Sequence, residues 1–240
     1  MTSTALLPRP DQIAELTRGL DLPLPPIDDF LLSVIADGVV QAFKDVRHDW
    51  PNEISTGNED ELTTKLQSRL NAMIDDDPLW GQLVASVGRG QESLNFDGSH
   101  LHKRPDLTIN LTARTRRFPL TAEAKIIDAS KGENLYCSEG IRRFLNGEYS
   151  WGSREAFMIA YVRDGSTIAT RLEPYLSLPT QKTIYAVEDL KTSYTLDPCD
   201  TAKSRHSRSF VYTHMTPPAN APGSINLWHL WVDATIVALP

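Results

Sequence analysis

The 240-residue chain contains two cysteines, Cys137 and Cys199. A single pair cannot build the disulfide framework of a small secreted fold, so a reducing cytosol is the expected compartment. Apolar runs such as Phe157 to Val162 stop far short of the roughly 18 residues a membrane span needs. The start, MTSTALLPRPDQ, has neither a basic leader nor a long apolar segment, and no secretion signal is expected there. A phosphate-cradling glycine loop is also missing. Gly88-Arg89-Gly90 lacks both the spacing and the following Lys-Ser/Thr, which argues against ATP hydrolysis. Cys137, Cys199, His206 and His214 show no paired ligand spacing, and this removes a zinc site. With no repeat, heptad array or low-complexity tract, what remains is an ordinary globular chain long enough to bury a core.

Positive charge is scarce in the first part of the chain. Residues 1–100 hold 7 Lys/Arg against 17 Asp/Glu, whereas residues 101–240 hold 17 against 14, within a net charge of −7. The cations gather at Lys103-Arg104, at Arg114, Arg116 and Arg117, at Arg142-Arg143, and at Lys203, Arg205, His206 and Arg208. Such clusters are either solvated faces or contacts for a polyanion, because focused cations can outweigh distant carboxylates. The acidic first 100 residues favour a protein partner that docks there or supplies basic surface.

Periodicity sets the elements. Asp28 is placed to cap a helix running to about His48, with Leu31, Val34, Ile35, Ala42, Phe43 and Val46 on its apolar side. A second helix is expected from Asn58 to Ile74, with Leu62, Leu66, Leu70 and Met73 at helical spacing. At about 100° per residue, Glu59 falls on that stripe and Glu61 points away. Strands are expected near residues 83–87 and 93–96, then at 105–111 and 118–128. A helix over 133–146 and a buried strand over 156–162 follow. Beyond them come a helix over 166–176 and strands near 183–187, 210–214 and 225–232. The plan is α/β (α+β), a mixed β-sheet flanked by helices, in one domain: a core over about 58–162, an N-terminal helical extension over 1–57 and a C-terminal elaboration over 163–240.

The chemistry lies in Pro105-Asp106 and Glu123-Ala124-Lys125. If Leu111 pairs with Phe118 across the intervening loop, Asp106 falls opposite Glu123. Period-two alternation then puts Asp106, Thr108, Asn110, Thr121, Glu123 and Lys125 on one sheet face and the apolar residues on the other. Two carboxylates about 5 Å apart repel unless a cation sits between them. Hard oxygen ligands favour Mg2+ or Mn2+. Lys125 projects from the same face, about 7 Å along the strand, where it could position a water. A chance salt bridge in an ordinary amphipathic hairpin is the bland alternative, and Glu59 on the preceding helix weakens it.

This pattern resembles the PD-(D/E)xK, or restriction-endonuclease-like, nuclease superfamily: Glu59 on the first core helix, Pro105-Asp106 on one strand and Glu123-Ala124-Lys125 on the next, in an αβββαβ order. The resemblance covers about residues 58–162. It implies magnesium-dependent phosphodiester hydrolysis, with Asp106, Glu123 and the Ala124 carbonyl as metal ligands and Glu59 as a further acidic ligand, direct or through water. Lys125 would orient the attacking water. The choice of Glu59 over Glu61 rests on helix phase alone. The implied substrate is nucleic acid, DNA ahead of RNA, and stand-alone proteins of this kind often serve restriction or anti-phage defence. The rival from another class is a non-catalytic nucleic-acid-binding or assembly subunit. An oligomer is compatible with either.

Substrate contacts are sought on two segments. Tyr136, Gly140 and Arg143 share a face of the helix after the motif, and Arg143 could hold a phosphate there; surface exposure of Arg143 is the equal alternative. The run Ser204-Arg205-His206-Ser207-Arg208 has donors suited to a phosphate backbone, with His206 alternatively a general acid or a loop hydrogen-bond donor.

Overall fold

The computed structural model of the protein describes residues 10–90, 92, 94–97, 104–196, 199–212 and 221–235. Five helices open the chain: α1 (Pro10–Thr17), α2 (Asp29–Asp49), α3 (Pro51–Thr56), α4 (Glu59–Asp76) and α5 (Pro78–Leu83). Asp28 caps α2 by accepting from the N–H groups of Phe30 and Leu31. Asn58 caps α4 through a reciprocal pair: its side chain accepts from the Glu61 N–H at 2.9 Å, and the Glu61 carboxylate accepts from the Asn58 N–H at 2.8 Å. Two of the orphan donors at this end are thereby satisfied, and Glu61 is committed to the cap.

Seven strands form one mixed sheet: β1 (Val84–Gly88), β2 (Leu107–Leu111), β3 (Leu120–Ile127), β4 (Glu155–Val162), β5 (Val187–Leu196), β6 (Cys199–His206) and β7 (Ile225–Asp233), in the spatial order β1-β2-β3-β4-β7-β6-β5. β3, β4 and β7 run parallel, and the flanking pairs are antiparallel. Between β3 and β4, α6 covers residues 133–145 as a turn of α-helix (Glu133–Tyr136), a π-helical segment (Cys137–Ile141) and a last α turn (Arg142–Leu145). From α4 onward the order is therefore two helices, α4 and the short α5, then three strands, a helix and a strand. After β4 come α7, over residues 168–177 with a π-helical start, and α8 (Pro179–Ile184).

Helices cover both faces of the sheet. Leu107, Ile109, Ala122, Ala124, Phe157 and Ile159 share a core with α2 and α4, while Ile127, Met158, Ala160 and Val162 pack with Tyr136, Ile141 and Phe144 of α6. All eight residues of β4 are buried, as expected of a parallel strand with both faces covered. The Glu123 end of the hydroxyl-and-carboxylate face of β3 therefore lies under α6, a second buried layer rather than a solvated side.

Three expected strands do not form. Leu94 makes only an isolated bridge and Phe96 lies in a turn, their side of the chain held by the Phe96–Phe210 ring stack at 4.6 Å; Ser93 is outside the described residues. Residues 179–184 wind into α8, where Pro179 sits in the first turn and Thr183 Oγ1 donates back to its carbonyl, and the next strand begins only after Ala186 at φ 47°. Phe210 to Tyr212 is irregular, anchored by the Tyr212 hydroxyl on the Trp151 carbonyl at 2.7 Å, and Thr213 and His214 lie outside the described residues. The hairpin of β5 and β6 replaces them at that edge of the sheet.

Candidate active site

The β2–β3 register places Leu107 opposite Ala122, Thr108 opposite Thr121 and Ile109 opposite Leu120. One step further, Asp106 stands opposite Glu123. β3 continues to Ile127, beyond the start of β2, and leaves a notch beside its open edge. Backbone donors at such an edge require partners. The Ala124 N–H donates to Asp106 Oδ2 at 2.8 Å, and the Ile126 N–H donates to Glu59 Oε2 at 3.2 Å. The first residue of α4 thus reaches the strand across the end of β2.

Lys125 fills the notch. Its Nζ donates to Ala124 O at 2.6 Å, to Glu59 Oε1 at 3.0 Å and to Glu123 Oε1 at 3.0 Å, and lies 3.8 Å from Asp106 Oδ2. Three carboxylates and one carbonyl converge on a single cation. Around it the field is steep. Burial, reinforced by the neighbouring Asp106 charge, pushes the Glu123 carboxyl up to about 8. Burial likewise raises Asp106, against the opposing pull of Lys125. Burial by itself would lower the Lys125 ammonium, but Glu123, Asp106 and Glu59 outweigh it and hold its pKa above the ordinary lysine value.

Arg143 closes the other side. Its Nη1 pairs with Glu123 Oε1 and lies 3.4 Å from the Tyr149 hydroxyl. The π-helical segment just before it adds a residue to the turn and re-aims the following side chains, which carries Arg143 to the sheet. Gly140 allows the approach, since a Cβ there would collide with Met158 Cε and lie 3.9 Å from Glu123 Cγ. Tyr149, on the loop after α6, is a site residue that sequence reasoning missed; nothing in its spacing marks it.

As the side chains stand, no three His, Cys, Asp or Glu among the described residues are arranged to grip a metal ion. The ammonium takes the centre that a metal would need. The chemistry of the donor set nevertheless fits a hard cation: all its donors are oxygen, and Glu123 Oε2 is buried with no hydrogen-bond partner.

Four expected substrate contacts have other duties. Tyr136 is wholly buried, and its hydroxyl lies 2.8 Å from His229 Nδ1. His206 is buried too, its Nδ1 2.7 Å from the Tyr185 carbonyl, which accepts only, so Nδ1 carries the proton. Its Nε2 then accepts from Ser204 at 2.6 Å, and the Ser204 oxygen accepts from His229 Nε2 at 2.7 Å. Burial depresses His206 to about 4 and His229 to about 3, so this chain holds two neutral imidazoles in the core, away from any substrate. Arg208, 8% exposed, donates to the carbonyls of Ser150, Ser153, Pro222 and Gly223 and ties loops together. Arg205 is exposed but paired with Glu188 at 2.8 Å, on a strand three places from β3 in the sheet.

Fold and site together define a mixed α/β protein whose sheet carries a partly buried acidic notch closed on a lysine. Compared with protein-family models, with curated proteins and with solved structures, the chain finds no match in any of the three. Among the described residues, no helix is long and apolar enough to cross a membrane.

Proposed function

We propose that the protein is a divalent-metal-dependent nuclease of the PD-(D/E)xK, restriction-endonuclease-like type, acting on phosphodiesters in nucleic acid, DNA ahead of RNA. The observation that carries this reading is the convergence of Glu59, Asp106, Glu123 and the Ala124 carbonyl on Lys125 Nζ. An isolated salt bridge requires one carboxylate; here three carboxylates and a carbonyl gather on one ammonium, with Arg143 as a second cation on Glu123, an all-oxygen donor set of the kind that holds a hard divalent cation.

Asp106, Glu123 and the Ala124 carbonyl would hold Mg2+ or Mn2+, with Glu59 as a further ligand, direct or through water. Bound there, the cation would act as a Lewis acid on the phosphoryl oxygen and favour hydroxide over water as nucleophile. Lys125 would orient the attacking water and stabilise negative charge developing on the phosphoryl group. Arg143, paired with Glu123 through Nη1 and with Glu139 through Nη2 at 3.5 Å, would hold the Glu123 carboxylate in place and bring positive charge to the phosphate.

The test incubates purified protein with supercoiled plasmid, linear duplex, single-stranded DNA and RNA, in Mg2+, Mn2+ or EDTA. Cleavage that EDTA and Asp106→Ala both abolish is the expected result. Binding without cleavage of any substrate would overturn it in favour of a nucleic-acid-binding subunit.

A further inference from the structure

Beside the notch lies a cleft of about 560 Å3, within the range of about 300–1,000 Å3 typical of small-ligand sites. Thr108 and Thr121 form part of its wall. They are the cross-strand pair next to Asp106 and Glu123 and lie on the same sheet face, about 7 Å along the strands. Tyr149 also lines it, and its hydroxyl lies 3.4 Å from Arg143 Nη1, so the cleft adjoins the notch through this pair. Phe118 and Trp151, in edge-to-face contact at 4.8 Å, are its apolar floor. Thr108 Oγ1 and Ser150 Oγ, both from lining residues, are buried with no hydrogen-bond partner.

Charge favours an anion at the rim. Of the lining carboxylates, Glu15 is paired with Arg18 and Glu92 with Arg104. Arg117 donates to the carbonyls of Glu15, Leu16 and Arg18, and so holds α1 in place as the outer wall. Arg116, exposed, has no ion pair or hydrogen bond among the described residues and remains the free cation of this rim.

We propose that this cleft receives one unpaired nucleotide next to the scissile phosphate, its base over the Phe118–Trp151 floor and its phosphate near Arg116, so that the preferred substrate is single-stranded or locally unpaired nucleic acid. A base in a duplex is held inside the stack and cannot enter a recess of this size without being extruded; an unpaired one can. The proposal rests on the nuclease reading above, because that reading supplies the scissile phosphate.

The experiment separates the two. Asp106→Ala in EDTA, which cannot cleave, is titrated with a fluorescein-labelled single strand and with the same strand annealed to its complement, at one salt concentration. The single strand is expected to bind at least about tenfold tighter. Leu16→Trp, which fills the cleft from its outer wall, and Arg116→Glu, on the exposed rim, should each remove most of that difference in protein whose cooperative melting shows it folded. In the otherwise wild-type protein the same two changes should slow cleavage of single strands. Equal affinity for both forms, or full retention of the preference in both variants, overturns the cleft proposal even if duplex DNA is cleaved. A preference that the variants abolish, in a protein that cleaves nothing in any metal, upholds the cleft and overturns the nuclease reading.

Discussion

Glu59 and Lys125 meet at 3.0 Å, although one opens a helix and the other lies on a strand 66 residues later; Glu61, two positions on, turns back to cap its own helix. The two glutamates therefore separate cleanly in mutation. Glu59→Gln should lower metal-dependent cleavage by about 100-fold, the scale seen when one positioned charge leaves an active site. Glu61→Ala should leave the rate unchanged and cost about 1 kcal/mol of stability through the lost cap. Kinetics and urea melts on the same two variants check both outcomes.

Metal should stabilise the fold. A divalent cation that binds the oxygen donors of Glu59, Asp106, Glu123 and Ala124 in the native state alone stabilises that state, so saturating Mg2+ or Mn2+ should raise the melting temperature. Asp106→Ala should remove that increment. An identical melting curve with and without metal in the wild-type protein would count against the site.

Lys125 is assigned to chemistry rather than affinity. Lys125→Ala should cut turnover by about 100-fold or more while binding of nucleic acid stays within a few-fold. Single-turnover cleavage and a binding titration at one salt concentration separate the two effects.

Arg208 is a structural residue, contrary to the expectation that it contacts phosphate. Arg208→Ala orphans the buried carbonyls of Ser153 and Pro222, besides freeing those of Ser150 and Gly223 nearer the surface, and should destabilise the protein by about 3 kcal/mol. Binding per folded molecule should be unaltered, as measured on the fraction that remains native.

The buried imidazoles set an acid limit. His206 and His229 have folded-state pKa values of about 4 and about 3, below the ordinary 6.5. The unfolded chain therefore takes up protons first as pH falls. Their contribution is complete above about pH 6.5 and is lost on the way down to pH 4 and 3, by up to about 1.4 kcal/mol per pH unit for each. His206→Gln should be less stable at pH 7 yet lose less stability than wild type between pH 7 and pH 4.5, as read from urea midpoints.

Local chemistry was legible in the sequence wherever it is short-ranged. The Asp28 cap, the Leu62–Leu66–Leu70 stripe, the buried run of β4 and the pairing that sets Asp106 against Glu123 all follow from residue type, periodicity and turn length, which neighbouring residues determine. The inward aim of Glu59 followed from helix phase. Tertiary structure decided the rest. His206, Arg208 and Tyr136 read as donors for a substrate because a sequence carries donors without their partners; those partners, Tyr185 O, four loop carbonyls and His229, come from distant segments. The polar strand Cys199–His206 has Thr201, Ser204 and His206 buried because it lies inside the sheet, between β7 and β5. Arg143 reaches Glu123 because a π-helical turn and Gly140 let α6 descend onto the sheet, and the cleft exists because Arg117 pins α1 across it. Each depends on burial supplied by chain far away in sequence, where no local pattern can record it.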